Sequence, residues 1–168
     1  AGGFYSSAEF DISPLVSFAG PILELGRSCV DARWRNRGTL QMLWQGLAAY
    51  IVEQRIGLLF GCASLPGTDP QALAPQLAYL RDHHLAAADL RARPLRPVPA
   101  ISASYDPKAI LQSLPPLLKG YLRAGASIGE GAVVDQQFNT TDVLVVLRTD
   151  AIAARYSRRY EAATARAA

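Results

Sequence analysis

The stretch from residue 22 to residue 63 constrains the fold more than any other part of this chain. After Pro21, residues 22–30 read as a strand. Its alternation would set Glu24, Gly26 and Ser28 on one face, with Leu25, Arg27 and Cys29 on the other. A basic turn follows, Asp31-Ala-Arg-Trp-Arg35. Asn36 is then placed to cap a helix, and Leu40, Leu43, Leu47, Tyr50 and Ile51 recur at helical spacing up to about Glu53. Residues 56–63 form an almost unbroken apolar run, as expected of a strand buried on both faces. Strand, helix and strand in that order make a parallel crossover, expected to be right-handed, with the helix covering the sheet.

The flanking segments are read with the same signals. Residues 4–15 mix aromatic, acidic, Ser and Pro residues and are expected to be irregular. Leu65-Pro-Gly-Thr68 ends the second strand, and Asp69-Pro70 signals a helix carrying Leu73, Leu77 and Leu80, read as an insertion or lid. Residues 91–99 hold three prolines and three arginines and suit an extended surface connection. Asp106-Pro107 opens a helix that Pro115-Pro116 interrupts, and a second helix runs on to Gly125 as its C-cap. Residues 131–137 and 142–148 read as an antiparallel hairpin around Phe138-Asn-Thr-Thr141, followed by a terminal helix capped by Asp150.

The chain has 168 residues, half of them hydrophobic, enough to bury a substantial core as one α/β domain over 1–168. Lys plus Arg exceed Asp plus Glu by 17 to 14. That small excess suits an acidic protein partner or an anionic lipid surface better than nucleic acid, which asks for a denser basic stripe. Cys29 and Cys62 both fall in predicted apolar strands and read as buried thiols. Apolar runs stay short of the roughly 20 residues that cross a bilayer, and no charged-then-apolar leader opens the chain. The reading is a cytoplasmic protein, either free or in peripheral contact with the inner membrane face. His83-His84 point about 100° apart on a helix, which does not suit a shared metal, and they read as solvated.

The chemistry concentrates at the basic turn. A helix start presents backbone N–H groups without intrahelical partners and the positive end of the helix dipole, so residues 35–39 would receive an anion such as a pyrophosphate. The segment Glu24-Leu-Gly-Arg-Ser-Cys-Val30 with Arg35-x-x-Gly38-x-Leu40 resembles the acyl-donor motif of the GCN5-related N-acetyltransferase superfamily. Leu40 stands where that superfamily usually carries Gly or Ala. Gly61-Cys-Ala-Ser64, the segment 114–126 and Phe138-Asn-Thr-Thr-Asp142 look like its hemolysin-like branch, the L-ornithine N-alpha-acyltransferases of ornithine-lipid biosynthesis.

The resemblance implies a mixed, mostly antiparallel sheet around a central parallel strand–helix–strand donor unit. It also implies that Ala1 corresponds to the middle of the family's domain, so that earlier strands and part of the acceptor pocket precede it. The implied reaction is transfer of a 3-hydroxyacyl group from the phosphopantetheine of acyl carrier protein to the α-amine of L-ornithine, giving lyso-ornithine lipid. Acyl-CoA acting on another amine is the alternative donor and acceptor, and a catalytically silent carrier-protein or lipid-binding module is a third reading.

Amide formation from a thioester needs a neutral amine, a place for the oxyanion and a proton for the departing thiolate. Glu24 is the candidate base, directly or through water, or else a structural glutamate paired with an arginine. Tyr121, four residues before Gly125 in a spacing that resembles the superfamily's, is by that resemblance the candidate acid, or else a packed tyrosine with its hydroxyl bonded. Arg35, Asn36, Arg37, Gly38, Thr39 and Leu40 would cradle the phosphate, and Val30 would offer backbone groups to the pantetheine amides. Arg33 would reach acyl carrier protein. Asp142 and Asn139 would bind the cationic acceptor, although hairpin-turn chemistry accounts for Asn139 equally well. Arg155, Arg158 and Arg159 beside Tyr156 and Tyr160 would rest on anionic lipid or form a solvated helix face.

Overall fold

The computed structural model describes residues 3–26 and 29–150, with Arg37 and Leu40 described only in their backbone. The terminal helix and its arginines lie outside the described residues. Strands β2 (Ile22–Glu24) and β3 (Leu58–Pro66) pair in parallel, joined by helix α2 (Arg37–Glu53). β3 pairs antiparallel along its whole length with β7 (Thr140–Arg148). The far edge of β7 is shared by two short antiparallel strands, β5 (Ser127–Ile128) near its end and β6 (Val133–Asp135) near its start. The sheet is therefore mixed and mostly antiparallel around one parallel crossover, as the resemblance implied.

The long central strands separate two cores because their side chains alternate between faces. On one face Leu59, Ala63, Leu65, Val143, Val145 and Leu147 meet α3 (Pro70–His84), α4 (Pro107–Ser113) and α5 (Pro116–Ala124). On the other, Leu58, Phe60, Leu144 and Val146 meet Phe10, Ile12 and Leu15 from the N-terminal segment. Asp69 and Asp106 cap α3 and α4 through their side chains, each helix beginning at a proline. Gly125 closes α5 with φ of 100°, a conformation that costs little only without a Cβ.

Several expectations are corrected. The first strand ends at Glu24 rather than Val30, because the chain leaves the ladder after the bond from Leu25 N to Phe60 O (2.7 Å). Cys29 accordingly lies outside the strand and is exposed, while Cys62 is half-buried; both are free thiols. Helix α2 has the anticipated bounds but does not cover the sheet. Met42, Leu43, Tyr50 and Val52 are exposed, and among the described side chains of α2 Ile51 alone joins the main core. The edge strand beside it is three residues long, which leaves little sheet to cover. Helix α3 is no lid, since Leu73, Ala74, Ala78, Tyr79 and Leu80 are buried.

The N-terminal segment is also more ordered than its composition suggested. A 3-10 turn (Tyr5–Ala8) leads to β1 (Phe10–Asp11) and the short helix α1 (Ser13–Val16). β1 pairs antiparallel with β4 (Arg93–Pro94), so the proline-rich connection is partly a strand with Ala92 fully buried, not a purely surface segment.

Candidate functional site

The site begins where two parallel strands part. β2 stops at Glu24 while β3 continues to Pro66, so beyond Gly61 that side of β3 has no paired strand among the described residues. Gly61 is required at the parting point, because a Cβ there would overlap the Leu25 carbonyl oxygen. Leu25, Gly61, Cys62 and Tyr121 line a narrow pocket in this opening. A strand edge with unpaired N–H and C=O groups can accept an extended amide-bearing ligand as if it were another strand.

In a parallel crossover, the helix starts at the end of the sheet where its preceding strand finishes, so the basic turn and the start of α2 lie at this same end. Val30 turns its carbonyl to Arg35 Nε (2.8 Å), which folds the turn. Asp31 accepts from Arg33 N and pairs with the Arg33 guanidinium at 3.1 Å, holding that exposed arginine in the loop. Asn36 caps α2 through a bond from Thr39 N to its Oδ1 (3.0 Å), as anticipated, and a Cβ at Gly38 would come 3.2 Å from that oxygen. The cap consumes the Thr39 amide and leaves the preceding first-turn amides for a ligand. Thr39 and Gly38, together with Trp34, Met42, Leu43 and Leu47, also border an open apolar groove along α2.

Tyr121 reaches the opening from α5. Its ring meets Trp44 edge-to-face at a centroid distance of 5.7 Å, so α2 touches α5 through this pair. Burial raises its phenol above the ordinary tyrosine range, which keeps the proton available for donation.

On the opposite face, a polar row crosses β2, β3 and β7. The Glu24 carboxylate accepts from Tyr5 N (2.7 Å), Ser6 N (2.6 Å) and the Ser6 hydroxyl (2.5 Å), anchoring the N-terminal turn. No arginine pairs with it among the described contacts, and its partners are backbone and serine donors instead. Ser6 is fully buried, and Cys62 Sγ lies 3.5 Å from Ser6 Oγ and 3.5 Å from Glu9 Oε2. Asp142, 7% exposed, completes the row from β7. Burial, then the charge of Asp142, raises Glu9 above the ordinary carboxylate range. The Cys62 thiol is pushed up to about 12, chiefly by burial.

Asn139 sits instead at the exposed hairpin turn with φ of 54°, accepting from Gly67 N at 3.0 Å, so its geometry is that of a turn residue three positions from Asp142. His83 and His84 are not simply solvated: they join Tyr79 and Tyr105 in an aromatic cluster, and burial lowers His84. Glu9, Ser6 and Cys62 were not anticipated as site residues. Cys62 carried a faint signal, a polarisable residue on the same face as Leu58 and Phe60. Glu9 carried none, since its neighbour lies 53 residues away in the chain.

Residues 1–45 match the acetyltransferase (GNAT) domain family. Over 94% of its length the chain is 45% identical to an L-ornithine N(alpha)-acyltransferase from Agrobacterium fabrum, covering 56% of that protein. Over 95% of its length it is 44% identical to the protein of the same name from Rhodobacter capsulatus, covering 64% of it. The corresponding values for the Rhizobium meliloti protein are 45% identity over 96% of this chain and 57% of the relative. The chain thus spans less than two thirds of the length of each of these relatives. No solved structure matches it.

Proposed function

We propose that the chain belongs to the GNAT acyltransferases and forms part of an L-ornithine N-alpha-acyltransferase that uses a 3-hydroxyacyl carrier protein and releases lyso-ornithine lipid. One observation carries the reading. The parted strands β2 and β3 leave an open strand edge beside Tyr121, at the end of the sheet where capped α2 begins.

In this scheme the phosphate of the donor sits on the first turn of α2, held by the amides of Arg37 and Gly38, by the Thr39 hydroxyl and by Arg35. Leu40 follows at the same turn. The pantetheine arm runs along the free edge of β3, with Val30 at its entrance, and the thioester reaches Tyr121. The phenol donates its proton to the departing sulfur. Glu24 serves as an anchoring carboxylate, because proton removal there would first require release of Tyr5 and Ser6. Arg33 and the exposed apolar face of α2 suit an acidic carrier protein with a hydrophobic contact surface. No helix among the described residues is long and apolar enough to cross a membrane, and contact with anionic lipid at the inner face of the membrane completes the proposal.

The test is mass spectrometry of products after incubation with 3-hydroxyacyl carrier protein, or the matching acyl-CoA, and L-ornithine. N-acyl-ornithine formed only from the carrier protein supports the reading, and Tyr121→Phe should lower kcat by about 10²-fold or more. Product from acyl-CoA on another amine would replace donor and acceptor. Carrier-protein binding with no product from any donor would identify a silent module.

A further inference from the structure

We propose that Glu9, Cys62 and Asp142 form the seat of the acceptor's ammonium group, with Glu9 as the base that takes its proton; this rests on the acyltransfer reading above. One ligand atom from each of the three residues lies within 4.8 Å of the other two. Asp142 is 93% buried by its 7% exposure, yet its Oδ1 has no hydrogen-bond partner among the described residues. Thr140, two residues earlier and therefore on the same face of β7, also holds a buried hydroxyl without a partner among the described residues. A buried acceptor left open on a carboxylate is costly, and an ammonium supplies both missing features, three donors and a positive charge.

Position relates the seat to the donor. Cys62 borders both this cluster and the pocket at the strand opening, while Tyr121 faces that pocket from the other side of the sheet. An amine held between Glu9 and Asp142 would approach the thioester from one face as the proton donor acts from the other. The charged and titratable groups acting on Glu9 are Cys62 on β3, Asp142 on β7, Asp135 on β6 and Arg96 after β4. Burial and Asp142 raise Glu9 toward neutrality, where a carboxylate is a better base. Cys62 keeps its proton, so the seat is two carboxylates and a neutral thiol, which fits an ammonium better than a metal that requires thiolate.

The step balances. Glu9 takes one proton from R–NH3⁺, and the freed lone pair attacks the thioester carbonyl carbon. The C–N bond forms and the C–S bond breaks. The sulfur leaves with the phenol proton of Tyr121, which is replaced by a second proton from nitrogen. The amide keeps the third, and Glu9 returns its proton to solvent.

Calorimetric titration with L-ornithine and steady-state turnover test this together. Glu9→Gln and Asp142→Asn should each weaken ornithine binding about tenfold or more, and Glu9→Gln should lower kcat about 10²-fold. In the wild-type protein, the pH titration midpoint of the Glu9 carboxyl carbon should move down when ornithine saturates the site, a readout that needs no variant. Ornithine affinity unchanged within twofold in both variants would overturn the proposal. So would stoichiometric zinc that is lost in Cys62→Ala. If the wild-type protein acylates no amine, the function reading fails by itself, and the binding titration still judges the seat.

Discussion

Individual residues decide whether the two strands part. Gly61 allows the Leu25 peptide to turn in across β3, and no side chain can occupy that space without moving backbone. Gly61→Ala should therefore cost about 1–3 kcal/mol, measured by urea denaturation, and should shift the Leu25 amide in exchange and chemical-shift spectra. The sequence displayed Gly61 within the motif 61–64, but its need for glycine depends on a neighbour 36 positions earlier (61 minus 25). Glu24 is the converse case. It was singled out because its strand leads into the basic turn and through the family resemblance, whereas its occupation by Tyr5 and Ser6 follows from a turn 18 and 19 residues away. Tyr121 was named through the resemblance of its spacing to Gly125, and its place at the strand opening follows from how α5 packs on the sheet.

At the scale of elements, local signals worked best where the interactions are local. Asn36, Asp69 and Asp106 all accept from amides two or three residues ahead, and each was named as a helix start. Removing one such cap has a calculable effect. Asn36→Ala should cost about 1 kcal/mol and raise amide exchange in the first turn of α2, with the rest of the molecule unchanged. Under the proposed function it should also weaken donor binding, because the fraying turn carries the phosphate amides. Periodicity was less informative about burial. The apolar repeat of α2 predicted a helix packed over the sheet, yet much of that face is exposed because strand β2 beneath it is so short. The unbroken apolar run of β3 fared better, since that strand is covered on both faces.

Across the whole molecule, the sheet separates an apolar core from a face where Glu24, Ser6, Cys62, Glu9 and Asp142 interrupt hydrophobic packing. Its titration has a defined sign. An unfolded Cys62 would lose its proton near the ordinary value of 9.0, whereas the folded thiol keeps it until about 12. The unfolded state then binds fewer protons in that window, so Cys62 makes stability fall as pH rises from about 9 to 12. Thermal melts should show this alkaline slope reduced in Cys62→Ala relative to wild type. Below it, raised Glu9 acts in the same direction: its contribution is greatest under acid conditions and declines as pH passes from its unfolded toward its folded pKa. The sequence by itself determined the parallel crossover, the caps, the two Asp-Pro helix starts, the hairpin and the family resemblance, because each is written in neighbouring residues or in a contiguous motif. Only the tertiary structure decided where β2 leaves β3, which helix is left exposed and that Glu9 meets Cys62 and Asp142, because those outcomes depend on backbones and charges brought together from distant parts of the chain.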